Sequence, residues 1–140
     1  MKILFAADGS KFTKKALAFL ATHENLAGPE DEVIVLHVQP PVPPRVKTMV
    51  GAGIVNDYYQ DESAKVLDPI TRFLKRHPAP YRTKWVIGSP SEEILKAAGR
   101  EKAHMIVMGT HGHGLISRAL MGSVAQKVIA DADIPVLLVK

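Results

Sequence analysis

Ile3-Leu4-Phe5-Ala6-Ala7-Asp8-Gly9-Ser10 is the stretch on which the fold turns. Five apolar residues run without a polar break, which marks a buried strand, and Asp8-Gly9-Ser10 ends it in a turn. Beyond the turn the pattern changes. Phe12, Ala16, Leu17, Phe19, Leu20, His23 and Leu26 recur at helical spacing, with Lys11, Lys14 and Lys15 on the opposite face. Ser10 is placed to cap that helix, and Gly28-Pro29 to stop it.

The same alternation continues outward from this first unit. Glu32 to Val38, with Val33, Ile34, Val35 and Leu36, reads as a second buried strand. Gln39-Pro40-Pro41-Val42-Pro43-Pro44 holds four of the ten prolines. Proline lacks the donor that a helix or sheet interior needs, so this segment is expected to be an extended surface loop or lid reaching about Asn56. Its apolar run Met49 to Val55 is unusual for a loop, and covering a pocket, meeting a partner and folding back on the core are all open to it. Tyr58 to Arg76 is helical, with Pro69 expected to kink it. Tyr81 to Ile87 alternates as an edge strand does. Gly88-Ser89-Pro90-Ser91-Glu92-Glu93 opens a helix, with Ser91 as the expected cap and two acids at the positive end of the helix dipole. His104 to Met108 is a fourth strand. Gly109 to Met121 is a glycine-bearing loop, Ser123 to Asp131 a helix with Val124, Val128 and Ile129 inward, and Ile134 to Val139 a fifth strand.

Strands that alternate with helices in this way specify an α/β fold with a mostly parallel sheet and helices on both faces. The 140 residues suit a single domain, residues 1–140, and 46% hydrophobic with 23% charged residues is a globular composition. There is no cysteine, hence no disulfide and no thiolate metal site. The N-terminal apolar run is too short for a signal peptide or a membrane span, which makes a cytoplasmic location the expectation and argues against a membrane partner. The net charge of +4 is spread along the chain, and only 6% of residues are aromatic. Nucleic-acid binders concentrate charge on one face and interleave aromatics, so that class is not expected.

In open parallel sheets ligands bind beyond the C-terminal strand ends, where strand order reverses. Asp8-Gly9-Ser10 follows strand one, Val38 closes strand two, and Gly109-Thr110-His111-Gly112-His113-Gly114 follows strand four. Glycines admit a phosphate close to backbone N–H groups and allow positive φ, and Gly122-Ser123 then opens a helix whose free N–H groups favour an anion. A Walker loop is excluded, because Leu115-Ile116 follow Gly114 where Lys-Ser/Thr is needed. A dinucleotide fingerprint belongs after the first strand, where only one glycine stands. Spacing leaves two readings open, a phosphate loop and a loop with glycines for its turns.

Gly109-x2-Gly112-x9-Gly122-Ser123 resembles the ATP-binding motif of the universal stress protein family. Ile3 to Ser10, Gly88 to Ile94 and Ile134 to Val139 resemble that family's opening strand, its helix start and its last strand. The similarity runs in order over essentially the whole chain. It implies a five-stranded parallel sheet of order 3-2-1-4-5, a Rossmann-like fold of the adenine nucleotide alpha hydrolase type. It implies an adenine nucleotide, ATP, as ligand. Asp8, with Ala7 beside it, would accept from the nucleotide or lie near a Mg²⁺. Val38 would face the adenine, Met108 and Gly109 would lie beside the adenosine, and Gly112, Gly122, Ser123 and Val124 would hold phosphates. Ala125 departs from members that carry a hydroxyl there. The resemblance also implies a homodimer through Val136 to Val139.

His111-x-His113 without a third ligand is a weak metal signal, and the two read better as loop histidines near phosphate, His111 the nearer. Ser123 has no base placed to activate it, and Arg118 reads equally as a γ-phosphate contact and as a solvated arginine. Nothing marks a general base against a γ-phosphate, so slow ATP hydrolysis at most is expected. Two alternatives stand beside the ATP-binding stress-response homodimer. One is a hydrolase or phosphotransferase using His111, Asp8 and Mg²⁺. The other is an interaction module that meets a protein partner through the Pro40–Val55 segment.

Overall fold

The computed structural model describes residues 1–23, 25–113 and 120–140. The elements are β1 (Lys2–Ala6), α1 (Lys11–Thr22), β2 (Glu32–Gln39), α2 (Pro44–Val50), α3 (Ala52–Leu74), β3 (Tyr81–Ile87), α4 (Pro90–Arg100), β4 (Met105–Gly109), α5 (Ser123–Asp131) and β5 (Val136–Val139). All strand pairs are parallel and the sheet order is β3-β2-β1-β4-β5. This is the expected Rossmann-like order.

Side-chain alternation divides the core between two faces. Ile3, Phe5, Val33, Val35 and Val107 point to one side, where Ala16, Leu17 and Leu20 of α1 and Leu67, Ile70 and Leu74 of α3 cover them. Leu4, Ile34, Leu36 and Ile106 point to the other, beneath Ile94 and Ala97 of α4 and Ala125 and Val128 of α5. Fully burying each such aliphatic side chain contributes about 1.5–3 kcal/mol, which is why the central strands β1, β2 and β4 tolerate no polar residue at these positions. The helices after β1 and β2 thus lie on one face, and those after β3 and β4 on the other. The connections diverge between β1 and β4.

The largest departure from the sequence reading is the proline segment. Residues 44–74 are two helices, not a loop followed by one. Pro44 sits in the first turn of α2, where a proline's missing N–H costs nothing and its fixed φ is helical. Gly51, at φ +88°, makes the joint to α3. Pro69 lies inside α3, which continues to Leu74; buried Leu67 and Ile70 flank the proline and hold its turn to the sheet. The smaller departures have local causes. α1 ends at Thr22, before Gly28-Pro29, and the His23 N–H bonds back to the Leu20 carbonyl. Pro90 takes the first turn of α4 and moves the cap to Ser89, so Ser91 is turned inward and buried. Ile129 is exposed, and Ala125 takes the inward position beside Val128. Gly114 and Arg118 of the glycine-bearing loop lie outside the described residues.

Candidate functional site

The crevice between β1 and β4 follows from the register. Along β2, even-numbered backbone groups face β1: Glu32 N–H donates to the Met1 carbonyl at 2.9 Å, and the Leu36 carbonyl accepts from Ala7 N–H at 2.9 Å. Odd-numbered groups face β3, as in Val33 N–H to the Pro80 carbonyl and Gly88 N–H to the Gln39 carbonyl. Val38 is therefore turned toward β1, but β1 has already ended. The Ala7 carbonyl, which would have continued the ladder, faces the buried His37 Nδ1 at 2.8 Å. Neither the N–H nor the C=O of Val38 has a backbone partner among the described residues. A donor and an acceptor thus stand side by side in the wall of a cavity whose lining is mostly apolar.

The cavity gathers Ala7, Asp8, Val38, Met108, Gly109, His111, Gly112, Gly122, Ser123 and Val124, all ten residues singled out from the sequence. Three of the strand ends supply them, together with the start of α5. Gly122 is the N-cap of that helix and has no side chain to bond the first-turn amides, so the N–H groups of α5 open toward the cavity unsatisfied by a cap. A helix N-terminus in that state favours an anion through its dipole and its donors.

The glycines work sterically here. Gly109, Gly112 and Gly122 do not have positive φ, contrary to the sequence argument; Gly9, at φ +79°, does. A Cβ on Gly109 would fall 2.5 Å from Phe12 Cβ, so this glycine admits α1 against the end of β4. One on Gly112 would meet Asp8 Oδ2 at 2.8 Å, and one on Gly122 would crowd the Thr110 carbonyl at 3.2 Å. Gly122 N–H donates to that carbonyl at 2.8 Å, pinning the loop's return to its departure.

Among the described residues Asp8 is held on one side only. Its Oδ1 accepts from Ser10 N–H at 2.9 Å and from the Thr13 hydroxyl at 2.8 Å. The histidines clasp the loop. His111 Nε2 meets the Leu120 carbonyl and so carries the proton, while Nδ1 accepts from the Thr110 hydroxyl at 2.8 Å. Its ring packs on Phe12, with centroids 4.8 Å apart. His113 Nε2 donates to the Asp8 carbonyl at 2.6 Å. Both nitrogens of His111 are thus engaged and neither is free to act as a base. Among the described residues no group of three or more His, Asp or Glu could hold a metal ion.

Sequence reasoning missed Thr13, Leu36, Pro90, Ile94 and Thr110, which also line the cavity. Thr13, three residues after the capping Ser10, carried a signal: a hydroxyl in the first turn of a helix that begins at a candidate site. Pro90 and Ile94 carried none, because their helix reaches the crevice only through packing on the second face of the sheet.

A doubly wound parallel sheet with an open anion-favouring helix start at its switch point defines a Rossmann-like α/β architecture, in which ligands bind at that point. The chain matches the universal stress protein family over residues 1–140. It is 33% identical over 139 residues to a universal stress protein of Thermus aquaticus, covering 99% of this chain and 97% of that one. The solved structure of the Methanocaldococcus jannaschii protein MJ0577 superposes with a TM-score of 0.84 at 32% identity, covering 99% of this chain and 94% of that one. The Archaeoglobus fulgidus universal stress protein, solved in complex with dAMP, superposes at 0.73 with 26% identity, covering 100% and 98%. The chain belongs to the universal stress protein family.

Proposed function

We propose that this protein binds an adenine nucleotide, ATP foremost, and acts as a nucleotide-dependent stress-response module. The observation that carries the reading is that the N–H and C=O of Val38, in the cavity wall, have no backbone partner among the described residues. Adenine presents an acceptor, N1, beside a donor, the 6-amino group, and this edge complements one residue's N–H and C=O in an apolar slot. Val38 then receives the base, with Ala7, Met108 and Gly109 beside the adenosine. Gly112, Gly122, Ser123 and Val124 receive the phosphates at the start of α5. The dAMP complex of the Archaeoglobus fulgidus relative supports the ligand class. Asp8 is the one carboxylate among the described lining residues; it would be the residue to hold a Mg²⁺, which would neutralise phosphate charge.

The homodimer belongs to the same proposal. Val136 to Val139 is an apolar edge strand whose four residues are only half-buried, and such an edge is stabilised by pairing with a second copy. Turnover is expected to be slow, because both ring nitrogens of His111 are engaged in holding the loop. A cytoplasmic setting suits this reading, and among the described residues no helix is long and apolar enough to cross a membrane.

The test is mass spectrometry of small molecules released by denaturing the purified protein, followed by calorimetry with ATP, ADP and AMP. Recovery of an adenine nucleotide, or micromolar binding, is expected; finding neither sinks the proposal. One observation favours a second reading. Met49 is 81% exposed and Ile54 62%, at the joint of α2 and α3, which suits a protein partner. Full activity of a Gly122→Val variant in cells would favour that reading over a nucleotide-dependent one.

A further inference from the structure

Thr13 is buried in α1 at 4% exposure, yet it lines the cavity. Its hydroxyl makes a reciprocal pair with one residue: it accepts from Asp8 N–H at 3.0 Å and donates to Asp8 Oδ1 at 2.8 Å. Ser10 N–H adds a second donor to the same Oδ1. A carboxylate with two donors on one oxygen has its rotation blocked, so its other oxygen has a fixed direction. Oδ2 points to Gly112, across the crevice, and a Cβ there would stand 2.8 Å from it. Among the described residues beyond its chain neighbours, that hypothetical Cβ would touch nothing else within 4 Å, so Oδ2 projects toward the face of Gly112 that lacks a side chain.

We infer that Thr13 is a positioning residue which, through Oδ1, aims Asp8 Oδ2 at a sugar hydroxyl of the bound nucleotide. The inference rests on the adenine-nucleotide reading above, in which Asp8 accepts from the nucleotide, and adds to it the residue that orients that carboxylate. Asp8 stands at the end of β1, between Val38, which takes the base, and the start of α5, which takes the phosphates. The sugar is the portion of a nucleotide that spans those two, and its hydroxyls are the donors an ionised carboxylate oxygen accepts. Valine at position 13 keeps the shape and removes both hydrogen bonds; serine keeps the hydroxyl.

Calorimetry with ATP and with 2′,3′-dideoxy-ATP tests this on wild type, Thr13→Val and Thr13→Ser, each checked by a melting curve. Thr13→Val is expected to weaken ATP about tenfold, the effect of losing one charge-assisted hydrogen bond, and to leave dideoxy-ATP within about twofold of wild type. Thr13→Ser should restore ATP binding. Equal losses on both nucleotides in Thr13→Val, or none on either, overturn the inference while the nucleotide reading stands. Wild type that binds neither nucleotide overturns both.

Discussion

The two ends of the parallel sheet solve the same problem in opposite ways. At the N-terminal ends of the strands the charges satisfy one another. Arg82 on β3 donates through Nε to Glu32 at 2.6 Å and through both terminal nitrogens to Glu101 beyond α4, and the Met1 ammonium donates to Asp31 at 2.9 Å. At the C-terminal ends the polar groups lack that closure. Among the described residues Val38 has no backbone partner for its N–H or C=O, the α5 amides have no side-chain cap, and one oxygen of Asp8 faces across the crevice. Unsatisfied groups cost stability unless a partner arrives, so the difference separates an end whose polar groups close on one another from the end where the proposed nucleotide would bind.

The comparison is most exposed to failure at the base edge. If Val38 reads adenine through its own N–H and C=O, guanine meets it donor to donor and acceptor to acceptor. GTP should then bind at least about a hundredfold more weakly than ATP by calorimetry, and equal affinities would remove Val38 from the recognition scheme. Gly109→Ala comes next. Its methyl would overlap Phe12, and overpacking of this kind costs about 1–3 kcal/mol in a denaturant melt, with α1 displaced from the loop that His111 and Phe12 stabilise. A variant of unchanged stability would mean that α1 shifts freely and that the loop is not braced from this side.

The smallest effect is expected at the opposite end. Arg82→Ala should cost no more than about 1 kcal/mol, because exposed ion pairs are weak, and should leave nucleotide affinity unchanged. Its signature is in the acid limb. The hydrogen bond from Arg82 holds the Glu101 carboxyl below its usual value near 4.5. A carboxylate depressed in the folded state contributes stability above that ordinary value and loses it as pH falls through the lowered one. Stability of the variant measured between pH 6 and pH 3 should therefore fall less steeply than that of wild type. An altered affinity for ATP in this variant would show that the two ends are coupled rather than separate.

How far the sequence could be read differs between these regions. Periodicity located the strands to within two residues, since a buried parallel strand leaves an unbroken apolar run such as Val33 to Leu36. Strand-end position pointed to Asp8, Val38 and the glycine loop, and the family resemblance supplied the rest of the ten predicted residues that line the cavity. Residues 44–56 were not. Proline was weighed as a helix breaker, whereas Pro44 occupies the one place in a helix that favours it, and only burial of Val55 and Tyr59 against the rest of the fold shows which reading holds. The histidines were legible as loop residues near the site, but their hydrogen-bond partners Leu120 and Asp8 are set by how the loop returns, which no spacing encodes.

Local pattern by itself determined the alternation of strand and helix and the parallel sheet it requires, because periodicity and turn chemistry act between near neighbours; the resemblance of its motifs pointed to the family. Tertiary structure decided what the groups at the crevice do. It set β1 to end one residue before Val38 needed a partner, turned Thr13 onto Asp8, and spent the glycines on Phe12 and Asp8 rather than on positive φ. Those outcomes depend on where separate strands stop against one another, and register between distant segments is a property of the packed sheet.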